Sequence, residues 1–151
     1  MAKLSTKRRY NQSDVSGWIK QAEDDWSWAK ASFREKEYKG ACFVAHQLAE
    51  KSLKALIFAL TPKFAPTDLK KLHTHDLFSL TKQVEAGLGK CPAVVRRACE
   101  VLNDYYMSSR YPDVHEAVGE YTAELAEKAL KLALAVFKFA KKELALDKIS
   151  K

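Results

Sequence analysis

From Asp14 to about Glu37, the residues Val15, Trp18, Ile19, Ala22, Trp26, Ala29 and Phe33 recur at steps of three and four. Only a helix gathers that spacing onto one face. No segment alternates with period two between hairpin turns, so a sheet is not expected. The chain is therefore restricted to an all-α fold. Ser13 or Asp14 can cap this first helix, Asp24, Asp25 and Lys30 fall on or beside its solvent side, and Trp28 lies off the stripe.

A second helix is predicted from Tyr38 to Leu60. Its Ala41, Val44, Ala45, Leu48, Ala49, Leu53, Leu56, Ile57 and Leu60 form a surface wide enough for a central position. Pro62 and Pro66 stop that pattern, and a loop runs to Thr74. A shorter third helix follows, with Leu77, Leu80 and Val84 inward and Gly87 and Gly89 ending it. Pro92 suits the first turn of a fourth, which must stop near Ser109 because Pro112 disfavours helical geometry at Tyr111. Asp113 and Glu116 have capping-box spacing, and a last helix is predicted from about Val114 to Leu146. It carries two apolar stripes. One contains Tyr121, Leu125, Ala129, Leu132, Val136 and Ala140; the other contains Leu130, Leu134 and Phe137 and needs a neighbouring helix or a second subunit. The expected architecture is an up-and-down bundle of about five helices.

With 151 residues, 47% of them apolar, a single core needs no metal or disulfide to support it. Cys42, Cys91 and Cys99 are an odd count with no Cys-x-x-Cys pair, which points to a reducing, cytoplasmic setting. No stretch reaches the ~20 apolar residues of a membrane span. The net charge of +7 is concentrated early, in Lys3, Lys7, Arg8 and Arg9. We therefore expect a basic arm over residues 1–13, one helical domain over 14–146 and a short tail over 147–151. The arm is either a solubilising terminus or a nucleic-acid contact.

Few residues suggest chemistry on their own. Gly87, Gly89 and Lys90 lack the first glycine and the Ser or Thr of a phosphate loop. His46, Glu50, His73 and His75 do not complete a zinc set, so neither a metal nor a cofactor is expected. Gln47, Glu50, Lys51 and Lys54 read as a solvated strip on the second helix, with Glu50 and Lys54 an i,i+4 pair. The corner from Arg110 to His115 is open to two readings. Arg110, Pro112 and Asp113 suit a helix stop followed by a helix start. Equally, Arg110 can hold a phosphate while His115 moves a proton.

Three stretches together resemble the HEPN family, the higher eukaryotes and prokaryotes nucleotide-binding domain. They are Trp18 to Ala29 with Asp25; Gln47 to Leu56 followed by His75-Asp76-Leu77 and Leu80; and Tyr105, Tyr106 and Ser109 to Asp113. The resemblance implies a helical bundle that commonly forms a homodimer, with a polar cleft near the subunit contact and a nucleotide or RNA as ligand. It makes Arg110, Lys51, Lys54 and Asp113 candidate phosphate or nucleotide contacts, and Tyr105, Tyr106 and Tyr111 candidate stacking faces. It also implies that many relatives are metal-independent endoribonucleases, often toxins paired with a nucleotidyltransferase antitoxin, which use an Arg and a His like Arg110 and His115. Tyr111-Pro112-Asp113 looks closer to the nucleotide-binding branch, where the domain can sit in a chaperone-type multidomain protein. Binding is thus the leading expectation, with RNA cleavage and a purely structural dimerisation adaptor as alternatives.

Overall fold

A computed structural model of the chain describes residues 9–61, 70–110 and 119–146, with side chains described for 15–61, 70–107 and 119–145. Among the described residues there is no strand, and five helices follow one another: α1 (Arg9–Arg34), α2 (Tyr38–Leu60), α3 (Leu77–Leu88), α4 (Ala93–Arg110) and α5 (Ala123–Leu146). This is the expected all-α up-and-down bundle. Its axis is α2, which packs on each of the other four helices. Apolar residues cover α2 on more than one side, and the alanines Ala41, Ala45, Ala49, Ala55 and Ala59, all fully buried, allow neighbours to approach closely.

Several boundaries differ from the periodicity reading. α1 starts at Arg9, so Ser13 and Asp14 lie inside the helix and do not cap it. Its other end stops at Arg34 in a Schellman turn. There, the Glu37 N–H donates to the Ser32 carbonyl at 2.8 Å and the Lys36 N–H to the Phe33 carbonyl at 3.0 Å. Lys36 occupies the left-handed position at φ 63°, where a glycine is usual, so no glycine marks the stop in sequence. α4 starts at Ala93, with the Pro92 carbonyl accepting from the Val95 and Arg96 N–H groups.

Gly87 lies within α3 and does not end it. A Cβ there would come within 3.2 Å of the Leu60 side chain, so the glycine serves close approach to α2. Gly89 is the residue that caps α3, at φ 85°. α5 begins nine residues later than Val114. Thr122 caps it, its hydroxyl accepting from the Leu125 N–H at 3.1 Å. The expected capping box at Asp113 and Glu116 lies outside the described residues.

The stripes of α5 also sort differently. Ala129, Val136 and Ala140 of the first stripe are buried as expected, together with Ala126, Leu130, Ala133, Phe137 and Leu144, while Tyr121, Leu125, Leu132 and Leu134 are half-buried. Leu130 and Phe137 thus belong to the core, and only Leu134 of the second stripe remains partly open. The three cysteines are buried and unpaired. Burial pushes the Cys42 thiol up to about 12, which keeps it protonated and unreactive.

Candidate functional site

The polar residues of α2 are not a solvated strip. Glu50 and Lys54 are 3% and 5% exposed, because α2 is enclosed by its neighbours where a surface helix would meet water. Each charge is matched. Lys54 Nζ donates to Glu50 Oε2 at 2.7 Å and lies 5.4 Å from the centre of the Trp18 ring. Lys51 Nζ lies 2.8 Å from Asp25 Oδ2 on α1, so Asp25 is buried and paired and does not face solvent. Burial holds the Asp25 carboxyl above its usual range, with Lys51 pulling it back.

Glu50 carries a second link. Its Oε1 accepts from His75 Nδ1 at 3.0 Å, across 25 residues of chain. Three hydrogen bonds place His75 there by fixing the start of α3 against α4. The Asn103 side-chain carbonyl accepts from the Leu77 N–H at 3.0 Å, Asn103 Nδ2 donates to Asp76 Oδ1 at 2.9 Å, and that same oxygen accepts from the Phe78 N–H at 3.0 Å. Asp76 is therefore both the helix cap and the strut to α4. Asp76→Ala should cost about 1–2 kcal/mol in denaturant unfolding, since it removes the cap and the strut together.

Tyr106 forms the wall behind His75. Its ring stacks on His46 at 4.2 Å between centroids, on His75 at 5.5 Å and on Phe43 at 5.7 Å. His46 is fully buried, with Nδ1 3.9 Å from Glu50 Oε1. Burial lowers its pKa to about 4 against the pull of Glu50, so the imidazole is neutral at physiological pH. In front of this wall, His75, Asp76, Asn103, Asp104, Tyr106 and Met107 line an open cleft of about 210 Å³.

The bundle separates the residues singled out from sequence. Tyr106 meets the cleft, with most of its ring already covered by aromatic neighbours. Tyr105 is buried in the core, where its backbone carbonyl accepts from the Tyr121 hydroxyl at 3.1 Å and burial raises its phenol. Lys51 and Lys54 are committed to Asp25 and Glu50. Arg110 ends α4, and helical register sets it one turn beyond Tyr106 and two beyond Asn103, on the face of α4 that carries the cleft. The Arg110 side chain, Tyr111, Asp113 and His115 lie outside the described residues.

Glu50, His75, Asp76, Asn103 and His46 form the site's framework, which local spacing did not reveal. His75-Asp76-Leu77 was the one available signal, through the resemblance. Among the described residues, no three His, Cys, Asp or Glu side chains could share a metal, and no helix is long and apolar enough to cross a membrane.

The HEPN domain pattern matches residues 15–144. No curated protein matches significantly. Two solved structures share the bundle. TT1696 from Thermus thermophilus is 32% identical, with a TM-score of 0.73 covering 86% of this chain and 98% of that one. ST0689, an archaeal HEPN homologue, is 28% identical, with a TM-score of 0.66 covering 86% and 97%. Agreement in sequence along the domain and in the arrangement of the helices leads to one conclusion: the chain belongs to the HEPN domain family.

Proposed function

We propose that this chain is a nucleotide- or RNA-binding module that works as a homodimer, holding a phosphate at Arg110 and the attached nucleoside in the neighbouring cleft. The observation that carries the reading is the shared face of α4, on which Asn103, Tyr106 and Met107 line the cleft and Arg110 follows one turn later. The charges favour this orientation. Among the described residues the lining holds Asp76 and Asp104 and neither Lys nor Arg, so it suits hydroxyl and amino donors, whereas the anion belongs with the guanidinium. Tyr111 and Asp113, next to Arg110 in sequence, are assigned to the same ligand.

For the homodimer, Met107 and Phe78 supply exposed apolar surface at and beside the cleft. Calorimetric titration tests the reading: ATP or a short single-stranded RNA should bind with one site per protomer. Absence of heat with both would contradict it.

The spacing of Arg110 and His115, with four residues between them, favours a second reading, a metal-independent endoribonuclease. In that reading His115 takes the proton of a ribose 2′-hydroxyl, and RNA is cut in excess EDTA. Equal cutting by His115→Ala and the unaltered chain would remove His115 from that role.

A further inference from the structure

We propose that the end of the bundle where α4 begins and α5 ends is a second anion surface, and that its occupant is the phosphate backbone of an RNA duplex. This surface lies away from Arg110 and goes beyond the reading above, which supplies only the choice of RNA over DNA.

Helix directions bring the cations together. Trp18, in the first half of α1, lies 6.1 Å from Phe58 near the end of α2, and Gly87, near the end of α3, packs on Leu60. Lys90, in the turn before α4, reaches Glu143 near the end of α5 at 3.6 Å. Thus α1 and α4 begin where α2, α3 and α5 end, whereas Arg110 closes α4 at the other end, about 26 Å along the helix from Ala93. Arg96 and Arg97 stand within the first five residues of α4, and Lys138, Lys141 and Lys142 in the second half of α5.

The positive charge there is not cancelled. Three carboxylates answer three of the cations: Glu143 meets Lys90 at 3.6 Å, Glu23 meets Lys141 at 3.5 Å and Glu85 meets Arg96 at 3.9 Å. Arg97, Lys138 and Lys142 are exposed and have no carboxylate partner among the described residues. Toward the other end the same helices turn acidic, with Glu100 and Asp104 on α4, and with Glu124 and Glu127 on α5 one turn from Lys128 and Lys131. Charge is therefore graded along the bundle, and an anion is drawn to one end of it. In sequence, Lys3, Lys7, Arg8 and Arg9 lead into α1, which begins at this end. Stability does not explain the placement, because the first turn of a helix favours acids and α4 has none there.

The chemistry selects a duplex. Single strands are held by stacking on exposed aromatic rings as well as by charge. Among the described residues, the exposed rings Trp28 and Phe78 lie elsewhere, Phe78 beside the cleft and Trp28 one turn beyond Asp25, which meets Lys51 in mid-α2. What this end offers is Lys and Arg, which read backbone charge and no sequence, and that charge is densest on a duplex.

Fluorescence anisotropy with a labelled RNA duplex of about 20 base pairs, followed from roughly 50 to 200 mM KCl, tests this. The unaltered chain should bind the duplex more tightly than a single strand of equal length. Arg97→Gln/Lys138→Gln/Lys142→Gln should keep the melting temperature, bind the duplex about tenfold or more weakly and lower the salt slope by about two to three. Arg34→Gln/Lys39→Gln/Lys128→Gln has the same net charge but loses exposed cations away from this end, and should bind the duplex as the unaltered chain does. Both variants should take up ATP normally, because Arg110 is untouched.

Equal weakening by the two triple variants would overturn the proposal by showing diffuse attraction. So would unaltered affinity in the first variant, preference for the single strand, tighter binding of a DNA duplex, or binding to phosphatidylserine vesicles without binding to the duplex. Duplex binding without ATP binding would contradict the cleft reading and leave this surface standing; ATP binding without duplex binding would do the reverse.

Discussion

Glu50→Leu should lower the unfolding free energy by about 3–5 kcal/mol, because it leaves the Lys54 ammonium enclosed without its counter-charge. At this chain length that is a fall of roughly 6–20 °C in melting temperature. Lys54→Met should cost less, because Glu50 keeps its contact with His75. The double variant Glu50→Leu/Lys54→Met should be much more stable than the sum of the two losses implies, since an apolar pair of similar volume has no stranded charge to desolvate. Denaturant unfolding of the four proteins gives the coupling. Losses that add within about 0.5 kcal/mol would show that the pair is not the enclosed unit described here.

Acid should destabilise the chain through His46. Its imidazole titrates near 6.5 when unfolded and at about 4 when buried. Between those values the unfolded chain takes up a proton that the folded chain refuses, so the stability present above pH 6.5 is lost as pH falls toward 4. The gap corresponds to roughly 3 kcal/mol at 1.36 kcal/mol per pH unit. Asp25 acts in the opposite sense in the acid range. Its folded carboxyl is held above the ordinary value, so its protonation favours the folded state. Unfolding at pH 7 and pH 4.5 should therefore separate widely for the unaltered chain and much less for His46→Phe, which keeps a ring against Tyr106 and removes the titrating imidazole. An unchanged separation in His46→Phe would assign the acid sensitivity to another group.

Helix identity and order were legible because apolar spacing records which face meets the core. Gly89 marked the end of α3 through ordinary capping chemistry, whereas the Asp76 cap at its start passed unread. Boundaries failed where that chemistry was atypical or displaced. Lys36 holds a position usually given to glycine, and Thr122 opens α5 well after the more conspicuous Asp113. The site was harder to see for a different reason. Glu50 and Lys54 have the same i,i+4 spacing on a wet surface as inside a bundle, and only the surrounding helices distinguish the cases. Likewise, the bonds that build the cleft join residues 25 to 27 apart in the chain. No local pattern encodes that Asn103 caps the space between α3 and α4, or that His75 sits over Glu50. Local sequence singled out Arg110 and resemblance supplied His75-Asp76-Leu77, but neither supplied the bonds that orient His75.

The proposed function depends most on Arg110 as the anchor of an anionic ligand beside the cleft, and a calorimetric titration of Arg110→Ala against the unaltered chain measures this directly. With ATP or a short single-stranded RNA, the variant should keep its melting temperature and bind at least tenfold more weakly, as expected for lost hydrogen bonds to a charged group worth about 1.5–3 kcal/mol. Equal dissociation constants for the two proteins would contradict it.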